Sequence, residues 1–177
     1  MELGALGWFT VAHLMLGVMP FLNYGVFNME VVRVTQKELS AVVPLFDQYR
    51  VFYGQPSDLG LAHAFLEARI SNDESVVLLA KNEQGIGIGF TQLYPSFSSV
   101  SVSTTLILND LYVIEEVRGQ GIGKQLLNSA KAYAVDVKAK GIGLETARDN
   151  LGAQKLYESL GYVKDTEYYS YFLNLQA

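Results

Sequence analysis

Apolar and polar positions divide the chain into short blocks of distinct period. Residues 30–34 (EVVRV) have the content of a short strand. Thr35 followed by Glu38 has the spacing of a helix cap and its reciprocal partner. Leu39, Val42, Val43, Leu45, Phe46 and Tyr49 then recur at helical intervals, with Pro44 predicting a bend or break. Residues 54–58 (GQPSD) form a turn cluster, and 59–70 predict a second helix with Leu61, Ala64, Phe65 and Ala68 on one face. Strands follow at 75–81 and 87–94, joined by a turn at 82–85, and another at 104–113. Residues 119–140 predict a long helix with Ile122, Leu126, Leu127, Ala130, Ala134 and Val137 inward. A strand at 142–146 precedes a helix at 151–160, capped by Asn150 and stopped by Gly161. Val163 and then 168–175 supply closing strands. The order is β-α-α-β-β-β-α-β-α-β-β, a mixed α/β sandwich with helices on both faces of one sheet.

Composition changes this picture at one end. The chain has 177 residues, 50% of them hydrophobic, enough for one sizeable core. All four methionines and the single tryptophan, Trp8, lie in the first 29 residues, while all 13 Lys and Arg lie at Arg33 or later. Residues 3–29 carry no charged side chain and are long enough to cross a bilayer, which takes about 20 apolar residues. No basic residue precedes that stretch, so it is a poor secretory signal. Three readings stand: upstream sequence before a start at Met29, a membrane anchor, or an extra helix used for packing or dimerisation. The chain therefore divides into a hydrophobic extension, 1–28, and a domain, 29–177.

Charge and chemistry then narrow the function. A net charge of −5 gives no general attraction to nucleic acid. The absence of cysteine excludes a thiolate nucleophile and a Cys-based zinc site, and two histidines make a His-rich metal site a poor reading, so no metal is expected.

The informative stretch is Leu111-Tyr112-Val113, then Arg118-Gly119-Gln120-Gly121-Ile122-Gly123-Lys124. A strand runs into a glycine-rich loop that opens a helix. Such a helix start offers unpaired N–H groups and the positive end of the dipole, and suits a phosphate or pyrophosphate. The Walker A loop is excluded, because Arg118 stands where its first glycine belongs and Gln125 follows the Gly-Lys pair. The dinucleotide fingerprint is excluded by spacing. Gly85, Gly87 and Gly89 lie in a hairpin pattern and read as packing.

Arg118, Gly121 and Gly123 resemble the acyl-CoA loop of the GNAT superfamily of N-acetyltransferases, Arg/Gln-x-x-Gly-x-Gly/Ala. Asn150-Leu151-Gly152-Ala153, with Leu156, Tyr157, Gly161 and Tyr162, resembles that family's downstream helix. The resemblance covers 30–177. It implies the GNAT fold, a central mixed, mostly antiparallel sheet with helices on both faces, and transfer of an acetyl group from acetyl-CoA to a primary amine. It implies CoA contacts from the main chain of Leu111 and Val113, from Arg118, Gly119, Gln120, Gly121, Ile122, Gly123 and Lys124, and from Asn150, which also reads as a plain cap. It implies Tyr157 as the acid that protonates the departing thiolate. A phenol of pKa about 10 holds its proton at neutral pH.

The general base is less sharply marked. In the spermidine/spermine branch a Glu-Asp pair stands where this chain has Asn109-Asp110. Asp110 is the first candidate and Glu145 the second. Tyr49, Phe52, Tyr53 and Tyr94, with Phe97 beyond, occupy the acceptor side in relatives. Tyr168, Tyr169 and Tyr171 read as core or pocket. The resemblance implies a small-molecule amine, a cytoplasmic setting, a membrane link only through 1–28, and a possible homodimer. A non-catalytic acyl-CoA sensor and a protein-amine acetyltransferase are the alternatives.

Overall fold

The computed structural model describes residues 29–175, so the readings of 1–28 lie outside the described residues. The elements are β1 (Glu30–Arg33), α1 (Leu39–Phe52), α2 (Leu59–Ser71), β2 (Val76–Lys81), β3 (Gly87–Ser98), β4 (Ser103–Val113), α3 (Ile122–Asp136), β5 (Ile142–Gly143) and α4 (Leu151–Ser159). A 3-10 turn, Glu115–Val117, joins β4 to the glycine loop. The sheet runs β1-β2-β3-β4-β5, antiparallel except for the parallel β4–β5 pair. Among the described residues no helix is long and apolar enough to cross a membrane.

Val76 to Ala80 of β2 are all buried, as a strand covered on both faces must be. α1 covers one face, where Phe46 and Tyr49 meet Phe90 of β3 at ring distances of 6.0 and 5.9 Å. α3 covers the other, burying Ile122, Leu126, Leu127, Ala130 and Ala134, whereas Val137 falls past its end. Gly87 and Gly89 serve close packing: a Cβ on Gly87 would stand 2.9 Å from the Ala41 carbonyl oxygen of α1.

Several expectations are corrected. α1 runs unbroken through Pro44. The carbonyl that the missing N–H frees belongs to Ser40, which is exposed to solvent. α2 buries Ala62 and Leu66, not the face through Leu61, which is 55% exposed. Its apolar residues lie all round the helix, so periodicity selects no stripe. The long helix starts at Ile122 and ends at Asp136, shorter at both ends than 119–140. β5 keeps two residues of the expected 142–146. Glu38, not Thr35, is the N-cap residue of α1, although its carboxylate accepts from the Thr35 N–H at 2.9 Å and hydroxyl at 2.7 Å.

The closing strands do not form: no residue from 163 to 175 is in a strand. Asp165 folds the backbone locally by accepting from the N–H groups of Glu167 and Tyr168 at 2.8 and 3.2 Å. Tyr168, Tyr169 and Tyr171 are strongly exposed and join neither core nor pocket.

Candidate active site

The site begins with a defect in strand pairing. Gln92 of β3 pairs with Asp110, but Leu93 pairs with Leu108, which leaves Asn109 as an extra residue in β4. This β-bulge shifts the alternation by one. Leu106 and Leu108 share the face of Leu93, toward α3. Beyond the bulge, Asp110 and Tyr112 share the face of Gln92 and Phe90, toward α1. Leu106, Leu108 and Asp110 are buried and Tyr112 partly so, the first two and the last two on opposite sides of the sheet.

The bulge places the Asp110 carboxylate, 4% exposed, beneath the end of α1. Asn109 Nδ2 donates to it at 3.1 Å, and the Tyr49 phenol lies close enough to favour its ionised form. No ion pair to Asp110 occurs among the described residues. Burial pushes its pKa above the ordinary carboxylate value, and Tyr49 and Asn109 oppose that only in part. Burial, then the Asp110 charge, raises the Tyr49 phenol, and the same two causes push Tyr94 up to about 12.

Aromatic rings enclose this carboxylate. Tyr49 meets Tyr53 at 5.0 Å and Tyr112 at 6.3 Å, and Phe52 meets Tyr53 edge-on at 5.2 Å. Phe52 and Tyr53 are 63% exposed and form the mouth. The structure thus brings Tyr49, Tyr53, Tyr94 and Asp110 together. Phe97, at 79% exposure, lies out along the β3–β4 hairpin. Glu145 is exposed beyond β5, where Ser170 Oγ donates to it at 3.2 Å. Tyr112 was missed as a wall residue, though an aromatic two positions from Asp110 on one strand is a legible signal.

A second feature adjoins the first. β5 pairs with β4 only at Leu106–Ile142 and Ile107–Gly143, so β4 has a free edge from Leu108 onward. Ile114 N–H donates to the Ile88 carbonyl at 3.1 Å, which turns alternate amides of β4 toward β3. By alternation, the N–H and C=O groups of Leu111 and Val113 point to the free edge. Arg118 Nε donates to the Val113 carbonyl there at 3.0 Å. The guanidinium also stands 5.8 Å from the Phe52 ring and 5.9 Å from the Tyr112 ring.

The free edge leads to the start of α3. Gly119 and Gly121 have φ of +78° and +86°, which side chains rarely adopt, and no side chain caps the helix. The Ile122 side chain is in the core, so only its backbone faces the loop, while Gln120 and Lys124 are exposed. Gly123 lets α4 approach: a Cβ there would meet Leu156 Cδ2 at 3.3 Å.

α4 closes the far side. Asn150 caps it by accepting from Ala153 N–H at 3.2 Å, so its side-chain oxygen is already engaged. Gly161, with φ +89°, ends it: Tyr162 N–H donates to the Tyr157 carbonyl and Gly161 N–H to that of Glu158, at 3.1 and 3.0 Å. Tyr157 packs on the core and lies 5.8 Å from Tyr162, ring to ring. Burial raises its pKa, and the neighbouring Tyr53 and Tyr162 phenols add to the rise.

Comparison with known proteins agrees with this arrangement. Residues 42–162 match the family model described as Acetyltransferase (GNAT) family. The chain belongs to the GNAT acetyltransferase family. It is 49% identical over 149 residues to the Uncharacterized N-acetyltransferase YhfO of Bacillus subtilis, covering 84% of this chain and 99% of that one. A crystal structure of a probable acetyltransferase superposes with a TM-score of 0.79 at 42% identity, over 84% of this chain and 99% of the other. The aminoglycoside acetyltransferase AAC(6')-Iy, solved with a CoA bisubstrate analogue, shares the fold at a TM-score of 0.70 and 22% identity, over 83% of this chain and 98% of its own. The chain is an acetyl-CoA-dependent N-acetyltransferase.

Proposed function

We propose that the enzyme acetylates the primary amine of a small molecule by direct transfer, with Asp110 as base and Tyr157 as acid. The observation that carries this reading is the buried Asp110 carboxylate, without a cationic partner, set among tyrosines beside the free edge of β4. Its raised pKa suits a base that must take a proton from an ammonium group near neutral pH.

The residues present fit acetyl-CoA. The outward N–H and C=O groups of Leu111 and Val113 suit the pantetheine amides, which then pair with β4 as an added strand would. The N–H groups at 119–124 suit the pyrophosphate, and Arg118 and Lys124 add positive charge. Asn150 contributes by fixing the start of α4.

The acceptor ammonium enters past Phe52 and Tyr53, between Tyr49 and Tyr94, and gives its proton to Asp110. The amine nitrogen attacks the thioester carbonyl carbon. A C–N bond forms as the carbonyl electrons move to oxygen, where a β4 N–H stabilises them. The C–S bond then breaks and Tyr157 gives its proton to the thiolate. The nitrogen releases its second proton to solvent, so the products are the neutral acetamide and free CoA, and the proton on Asp110 passes through solvent to restore Tyr157. With no cysteine in the chain, no cysteine thioester intermediate forms. The reaction takes place in the cytoplasm, where acetyl-CoA is available.

The test is CoA release by the full chain with acetyl-CoA and a panel of spermidine, 2-phenylethylamine, L- and D-amino acids and a short peptide amine. Turnover of a non-peptide amine supports the reading. Acetyl-CoA binding by calorimetry without CoA release from any amine assigns a sensor instead. Turnover of the peptide alone assigns a protein amine.

A further inference from the structure

A second buried carboxylate lies one turn before the acceptor wall. Asp47 of α1 is 5% exposed and collects three donors. Ser57 Oγ donates at 2.6 Å, Asp58 N–H at 2.8 Å and Arg50 Nη1 at 3.1 Å. The Ser57 hydroxyl, then the Asp58 N–H, hold its pKa below the usual carboxylate range despite burial. Asp58 in turn caps α2 by accepting from Leu61 N–H at 2.9 Å. One side chain thus ties the body of α1 to the first turn of α2.

Phe52, Tyr53 and the turn at 54–56 lie inside the loop that this tie closes. Phe52 and Tyr53 are largely exposed, so the core does little to fix their rings. The backbone leaving α1 is folded back by Gly54 N–H to the Val51 carbonyl and Gln55 N–H to the Arg50 carbonyl, at 2.9 and 3.0 Å. Beyond Pro56 the body of α2 is held by buried Ala62 and Leu66, and its start, next to the turn, is held by Asp47 through Ser57 and Asp58.

We infer that Asp47 is a positioning residue for the acceptor, setting the rings of Phe52 and Tyr53 through Ser57 and Asp58. The inference rests on the reading that those rings form the acceptor wall. The donor side is built from β4, the glycine loop and α4, none of which Asp47 touches. The two sides meet where the Arg118 guanidinium stands 5.8 Å from the exposed Phe52 ring, a weak contact, so loss of the tie changes amine recognition far more than acetyl-CoA binding.

The experiment uses the full chain with acetyl-CoA and the two non-amino-acid amines of the panel, spermidine and 2-phenylethylamine. Asp47→Asn removes the charge at nearly constant shape, and Ser57→Ala removes one donor from an exposed position. Hydrogen bonds to charged groups predict a KM for the amine raised roughly 10- to 100-fold in Asp47→Asn, and by about 3- to 10-fold in Ser57→Ala. The dissociation constant of acetyl-CoA stays within about 2-fold in both. If Asp47→Asn does not fold, Ser57→Ala decides alone. An unchanged amine KM in the folded variants overturns the inference, and so does an equal rise in the acetyl-CoA constant, which marks general loosening. Phe52→Ala and Tyr53→Ala separate the two levels. If they leave the amine KM unchanged, the acceptor-wall reading fails; if they raise it while Ser57→Ala and Asp47→Asn do not, only the role of Asp47 fails.

Discussion

Gly89→Ala sets two physical effects against each other. Alanine is the better residue inside a strand by roughly 0.5–1 kcal/mol, because glycine loses more backbone freedom on folding. The site leaves no room for it. A Cβ at 89 would stand 2.7 Å from the Tyr112 carbonyl oxygen and 3.2 Å from Val113 Cγ2. Ordinary contact begins near 3.4 Å, so about 0.7 Å must be found, and the first obstacle is main chain. Overpacking of this kind costs about 1–3 kcal/mol. At about 2–4 °C per kcal/mol for a domain of this size, overpacking lowers the melting temperature by roughly 2–12 °C, of which the strand preference of alanine returns about 1–4 °C. The displaced strand is β4, and Gly89 faces Val113 across it. The opposite edge of Val113 is the proposed pantetheine contact, so the acetyl-CoA dissociation constant rises with the loss of stability, by about 2- to 10-fold for one weakened hydrogen bond. Gly123→Ala is the control for stability: its Cβ meets the mobile tip of Leu156 at 3.3 Å, and helix propensity favours alanine by about 1 kcal/mol. Thermal denaturation and calorimetry read both quantities. If Gly89→Ala melts at or above the parent temperature and binds acetyl-CoA as before, the close-approach argument is wrong.

Other outcomes follow from the same geometry. Tyr157→Phe lowers kcat by roughly 10²- to 10⁴-fold with acetyl-CoA binding unchanged, read by CoA release; an unchanged rate removes Tyr157 as the acid. Asp110→Asn lowers kcat/KM for the amine by about 10²-fold or more, and the parent kcat/KM falls as pH drops through a pKa above the ordinary carboxylate value. Because the folded pKa of Asp110 is raised, the native state holds more protons than the unfolded chain between the two pKa values. The stability contribution of Asp110 is therefore fully present below the unfolded pKa and lost as pH rises through the folded one. Asp110→Asn consequently melts higher than the parent at neutral pH, and that gain disappears in acid; a neutral-pH loss refutes it. Arg118→Ala weakens acetyl-CoA binding by roughly 10-fold or more, with a shallower salt dependence than the parent by calorimetry.

What the sequence revealed followed the range of the interaction. The Asn150 cap, the Gly161 stop and the glycine loop before Ile122 are settled within a few residues, and the structure shows each where local chemistry puts it. The α1 stripe was legible for the same reason. The inward face of α2 was not, because Phe65 stacks on Phe46 at 5.5 Å while remaining partly exposed, a choice made by α1 and not by α2. The tail shows a similar limit: an aromatic and aliphatic stretch such as 168–175 has strand character only if a neighbour supplies hydrogen bonds. In the site, Asp110 stood out as a charge in an apolar strand. The side of the sheet it occupies did not, since Leu106, Leu108, Asp110 and Tyr112 alternate as one face would. The tie through Asp47 was invisible because Ser57 and Asp58 meet it only after the turn has folded.

The bulge at Asn109 has a consequence for how such an enzyme can change. β4 is read in two frames, one filling the core before residue 109 and one furnishing the site after it. Point substitutions at Asp110 or Tyr112 can therefore retune chemistry without disturbing Leu106 or Leu108. Deleting Asn109 would turn the bulge into regular pairing: Asp110 would then follow Leu108 in simple alternation, and each would keep its face. What the extra residue sets is therefore the local bend and twist of β4 beneath the end of α1, not the side on which Asp110 stands, and a library that deletes Asn109 alone reads that contribution separately from substitutions at Asp110 or Tyr112.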